Sequence, residues 1–219
     1  MHLVTQPAIS AVAFCPHPPL LLPGIAAGTE IETESLRFAC DQALDRLIES
    51  NPSQIVIVGA DGPLVSLHSF APGLPDPSQR SLPLAFLVGE WLLSRHDQRP
   101  ALHVPIGPDG KATEPWPDMS APTALLVTGD GSARRSLKGP GYLDDRAEPF
   151  DDAVVAALAK AAPQELADLD LTLAAELLAA GAPAWVATAR IVGDRPWHGE
   201  VLYADAPYGV MYTVATWLA

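Results

Sequence analysis

Apolar residues in this chain fall into short dense runs and longer spaced ones, and the two patterns alternate. Ile9 to Phe14 is a short apolar run, with Val12, Ala13 and Phe14 reading as a buried strand. Ile55-Val56-Ile57-Val58 places four β-branched residues in a row, the mark of a strand buried on both faces inside a parallel sheet. Thr123 to Thr128 reads as another buried strand, and Ala101 to Ile106 as a short strand. Between them the spacing changes. Leu36, Ala39, Cys40, Ala43, Leu44 and Leu47 predict an amphipathic helix over Glu30 to Ser50, and Leu84, Leu87, Val88, Trp91 and Leu92 predict a second over Leu82 to Arg95. Further helices are expected at Asp151 to Ala162, with an acidic first turn, and at Leu166 to Ala180. Pro183 to Val192 and Glu200 to Leu218 read as closing strands, or a strand and a terminal helix, around a Pro207-Tyr208-Gly209-Val210 turn.

Strands separated by helices predict an α/β domain of three layers, a mostly parallel or mixed central sheet flanked by helices. No repeat or linker divides residues 1–219, so a single domain is expected. The first strand, helix and second strand form a right-handed crossover, which predicts that the first two strands end on one side of the sheet as neighbours.

Those strand ends carry the polar punctuation. Prolines on both sides of His17, in Pro16-His17-Pro18-Pro19, stop the first strand and hold one imidazole in a rigid turn. Gly59-Ala60-Asp61-Gly62-Pro63 ends the second strand, and Gly129-Asp130-Gly131-Ser132-Ala133-Arg134-Arg135 follows the Thr123 to Thr128 strand. Ligands of open α/β sheets bind at this edge, so His17, Asp61 and Asp130 are candidate functional groups, with Arg134 and Arg135 able to meet an anion. Asp61 also suits an ordinary turn before glycine. The Leu64 to Ser81 excursion carries His68, and Trp197-His198-Gly199-Glu200 pairs a histidine with a carboxylate; either imidazole could be brought to the site by a loop, although a solvated histidine is the commoner outcome. His103 reads as a core or edge histidine.

Composition narrows the functions. Thirteen Lys plus Arg against 26 Asp plus Glu give a formal net charge of -13, a field that repels nucleic acid and anionic membranes. Hydrophobic residues make up 48% of the chain, enough for a large core. Two cysteines, Cys15 and Cys40, with no leader and no run of membrane-spanning length, predict a cytoplasmic protein with reduced thiols. Val210 to Leu218 offers an apolar edge through which a homo-oligomer could form.

An ordered set of segments then points further: Pro16-His17-Pro18-Pro19-Leu20-Leu21-Leu22-Pro23 after a strand, the Ile55 to Gly62 strand and turn, Thr128-Gly129-Asp130-Gly131-Ser132 followed by Glu148-Pro149-Phe150-Asp151, and the late Tyr208-Gly209-Val210. Together these resemble the class III extradiol ring-cleavage dioxygenases, the LigB-like superfamily that includes the Memo-like proteins. The resemblance implies a non-haem Fe(II) site, or another divalent metal, at the strand ends, held by two histidines and a carboxylate, with a further histidine moving protons for a small aromatic, catechol-like substrate. His17 stands where the first metal histidine is expected. Asp61 stands near the second, and the acid/base histidine is replaced by Ala133 and Arg134. Gly181, Ala182, Pro183 and Ala184 offer no carboxylate before Trp185; Glu176 is the nearest.

Three readings are open. One is a metal enzyme using His17 and Asp61 with His68 or His198. Another is a non-catalytic module that binds a small molecule or a protein. The third is acid/base work by His17, Asp61 and Asp130, with Arg134 or Arg135 on an anionic substrate.

Overall fold

The computed structural model describes residues 8–23, 25, 30–70, 81–100 and 102–219, leaving aside the side chains of 30–32. Residues 1–7, Gly24, residues 26–29, Ala101 and the 71–80 part of the Leu64 to Ser81 excursion lie outside that description. Among the described residues, twelve helices and strands follow in order: β1 Ile9–Cys15, α1 Glu30–Glu49, β2 Gln54–Ala60, α2 Leu84–Ser94, β3 Leu102–Ile106, β4 Thr123–Thr128, α3 Ala147–Lys160, α4 Pro163–Ala167, α5 Leu171–Glu176, α6 Ala182–Val192, β5 His198–Asp205 and β6 Tyr212–Leu218. The described strands form one mixed sheet in the order β3-β2-β4-β1-β6-β5, mostly parallel, with only β6 running against its neighbours.

The two faces of the sheet sort by residue parity, as the pleat of a strand requires. From β1, Val12 and Phe14 join the core shared with α3 to α6, while Ala11, Ala13 and Cys15 join the core under α1 and α2. In β2, Val56 and Val58 face the first layer, and Ile55 and Ile57 the second. The result is three layers with two apolar cores. Arg46 of α1 reaches across to Glu200 of β5 at 2.6 Å, but this exposed pair adds at most about 1 kcal/mol to what the cores supply.

Several sequence expectations change. β4 lies between β1 and β2, so the first two strands are not neighbours, although both end at the same edge. Pro183 to Val192 is helix α6, not a strand: its apolar run has no alternation, proline sits in the tolerated first turn, and Ala182, Ala184, Ala187 and Ala189 favour helix. Leu166 to Ala180 is not one helix. Asp170 interrupts it by accepting hydrogen bonds from the backbone N–H groups of Thr172 and Leu173, which starts α5 afresh. α3 begins at Ala147, four residues early, with Pro149 accommodated in its first turn. Val210 to Leu218 is no edge, because β6 is buried between β1 and β5.

Where β4 ends, Gly129 meets Gly181 at the start of α6. A Cβ on Gly129 would stand 2.2 Å from the Gly181 Cα, so backbone touches backbone. Gly129→Ala is expected to cost more than about 3 kcal/mol in urea unfolding or to prevent folding, by overpacking that nothing flexible can relieve. Gly62→Ala, where an added Cβ meets nothing within 4 Å, should stay within about 0.5 kcal/mol of wild type.

Candidate functional site

His17 follows β1 in an extended segment that enters a single 3-10 turn at Pro19–Leu21. Arg37 of α1 ties this turn down, donating from Nε to the Leu21 carbonyl at 2.7 Å, while Leu21 and Leu22 are fully buried beneath it. His17 is itself buried, at 8% exposure, and its backbone N–H donates to Asp130 Oδ1 at 2.8 Å. The imidazole Nδ1 stands 3.7 Å from the same oxygen, beyond hydrogen-bond range. Nδ1 is buried and has no hydrogen-bond partner among the described residues.

Asp130 is held from beneath by a loop whose backbone is almost wholly engaged. Gly129 N donates to the Cys15 carbonyl, Gly181 N to that of Asp130, Gly131 N to that of Met211 and Met211 N to that of Ser132. Behind the loop, the buried Asp151 of α3 accepts from Ser132 N at 2.9 Å and from Ser132 Oγ at 2.5 Å, and pairs with Arg135 Nη1 at 3.3 Å. Burial pushes the Asp151 carboxyl up, and those Ser132 and Arg135 contacts oppose the shift. Asp130 is likewise raised by burial, with the His17 charge and N–H pulling the other way. Tyr212, at the start of β6, completes this part of the edge: burial first, then the charge of Asp130 and the phenols of Tyr208 and Tyr203, push its hydroxyl well above the ordinary tyrosine range.

The structure therefore brings together His17 and Asp130, and adds Tyr212 at the start of β6. The remaining candidates lie elsewhere. Asp61 is exposed and accepts a hydrogen bond from Gly62 N at 2.8 Å, the ordinary turn geometry; with β4 interposed, it is displaced from His17 toward the β3 edge. His68 is exposed on a short 3-10 turn, Leu67–Ser69. His198 opens β5 opposite Leu218, at the end of the sheet away from His17, and is exposed. Arg134 donates to the Gly141 carbonyl at 2.7 Å and so braces the neighbouring turn. Glu176 is engaged by Arg146 at 2.6 Å on the surface. Among the described residues no group of three or more His, Cys, Asp or Glu side chains is arranged to hold a metal ion. One imidazole and one carboxylate do not fit the three-ligand iron site that the resemblance implies.

A second pair escapes a reading of the sequence. Glu90 is the single charged residue in the apolar run Leu84 to Leu93, yet it is buried, and its Oε1 lies 2.9 Å from Nε2 of His103 on β3. A lone carboxylate inside an otherwise apolar helix is the signal that points to such a pair.

Because the folded protein binds the Asp130 proton more tightly than the unfolded chain, with its ordinary value of 3.8, the ionised carboxyl opposes folding. Asp130→Asn keeps an oxygen for the His17 N–H and removes the charge. It is expected to unfold at higher denaturant than wild type at pH 7. That advantage should fade as pH falls through the raised value toward 3.8, and a urea series from about pH 7 to about pH 3.5 checks it.

No helix among the described residues is long and apolar enough to cross a membrane. Compared with known proteins, the chain matches no family and no curated protein.

Proposed function

We propose that this chain is an extradiol-dioxygenase-like protein of the LigB-like type that binds a small phenolic compound at the His17–Asp130 edge, without conventional iron-dependent ring cleavage. The observation that carries this reading is the buried His17 Nδ1 with no hydrogen-bond partner among the described residues. A buried polar atom left in that state costs about 1–3 kcal/mol, and a phenol hydroxyl is a donor of the right kind to satisfy it. Pro16 and Pro18 restrict the backbone on either side of His17 and burial restrains its ring, so little ordering entropy opposes the contact. Asp130, whose carboxyl burial raises above its ordinary value, adds a second polar group beside His17. Cys15 and Tyr212 supply the buried base of this edge, and Tyr208 stands half-buried beside them.

In this reading His17 accepts a hydrogen bond from the ligand hydroxyl, and the contact from its backbone N–H to Asp130 holds the main chain of the turn at this edge. A non-catalytic role as a small-molecule sensor follows from the same geometry. Proton transfer to and from a bound phenol is the alternative use of the pair.

Titration of the purified protein with catechol, followed by calorimetry under anaerobic conditions, tests the reading. One-to-one binding is expected, weakened about tenfold or more in His17→Ala, since one such hydrogen bond is worth about 1.4 kcal/mol. Asp61→Asn should leave catechol affinity unchanged. Full ferrous occupancy with formation of a ring-opened product would overturn the proposal, as would catechol binding that ignores His17.

A further inference from the structure

Between α2 and the free side of β3 lies a groove of about 880 Å³, separated from the His17 edge by β2 and β4. Its wall contains the Glu90–His103 pair. Glu90 is 7% exposed, and His103 stacks on Phe86 with ring centres 4.7 Å apart. The Nε2 of His103 is buried and stands 2.9 Å from Glu90 Oε1. The same lining holds the carboxylates of Asp61, Asp97 and Glu114, while Arg99 is the one Lys or Arg among the described lining residues. Leu64, Leu82 and Pro83 supply an apolar wall. Carboxylates thus outnumber cationic side chains among the described lining residues, beside an apolar surface.

We propose that this groove is a second binding site, and that it takes a small organic ammonium compound with an apolar body. An ammonium group is the complement of the lining: it carries positive charge and three N–H donors, whereas the wall offers the carboxylates of Asp61, Glu90, Asp97 and Glu114. The apolar body covers Leu64 and Leu82, and Phe86 holds the imidazole plane in place. The stacked ring and the buried carboxylate are packed in place before the ligand arrives, so binding does not have to order this part of the wall. This inference is independent of the phenol site: it involves other strands and the opposite charge logic.

Phenethylamine is a suitable probe, with 2-phenylethanol and phenylacetate as neutral and anionic matches of the same shape. Calorimetry at pH 7, combined with NMR of the histidine ring protons, should show saturable one-to-one binding of phenethylamine that shifts the His103 signals. The alcohol should bind at least tenfold more weakly, and phenylacetate more weakly still. The double substitution Asp61→Asn with Glu114→Gln, both at exposed positions, should reduce phenethylamine affinity at least fivefold while the unfolding curve stays close to wild type. Glu90→Gln should reduce it further, and His17→Ala should leave it unchanged. Equal binding of the alcohol, no saturation with phenethylamine, or loss of binding in His17→Ala with retention in the groove variants would each overturn the proposal.

Discussion

The contact of two glycines, Gly129 at the end of β4 and Gly181 at the head of α6, is the constraint on which the candidate site depends. With no side chain on either residue, Gly181 N reaches the Asp130 carbonyl at 2.8 Å, and α6 packs directly on the strand end. Asp130 is thereby fixed under the His17 turn. Asp151 secures the next residues through Ser132, and a buried carboxylate with two hydrogen bonds from one serine is a stiff fastening. Removing it would leave Arg135 without one of its carboxylates and Ser132 with two unmet donors, a loss of about 3–5 kcal/mol on the scale of broken buried pairs.

The same edge shows how proline and glycine divide the work. On β1 the turn is rigid because Pro16, Pro18 and Pro19 limit the backbone, and Arg37 anchors it from α1. On β4 the turn is rigid because its N–H and C=O groups are matched to three different elements. His17 and Asp130 therefore face each other from two independently fixed supports.

The layers and most elements were legible in the sequence because β-branched runs and helical spacing are local signals. Ile55 to Val58 and the Leu36 to Leu47 face could hardly have formed anything else. Strand order was not legible. β1 and β2 are joined by one helix and still do not pair, since β4 fills the place between them from more than 60 residues further on. That single insertion moved Asp61 away from His17 and put Asp130 beside it. α6 was hidden because a short apolar run without alternation fits a buried helix and a buried strand equally well. The pairing of His103, read as a core or edge histidine, with Glu90 was missed for a related reason: they lie 13 residues apart on different elements, and only the packing of α2 on β3 joins them.

The position of β1 in the sheet bears on how the chain is made. Its partners are β4 and β6, so Ala13 pairs with Leu126 on one side and Thr216 on the other. A ribosome emitting this chain releases β1 ahead of both, and one long side of that strand stays without its mate until β6 has emerged. Contacts of such sequence separation form slowly, and an apolar strand waiting with open backbone groups is a template for wrong pairing. Pro16 and Pro18 limit that template to seven residues, because the strand cannot lengthen past Cys15. The prolines that aim His17 in the finished protein thus also keep the nascent strand short while it waits.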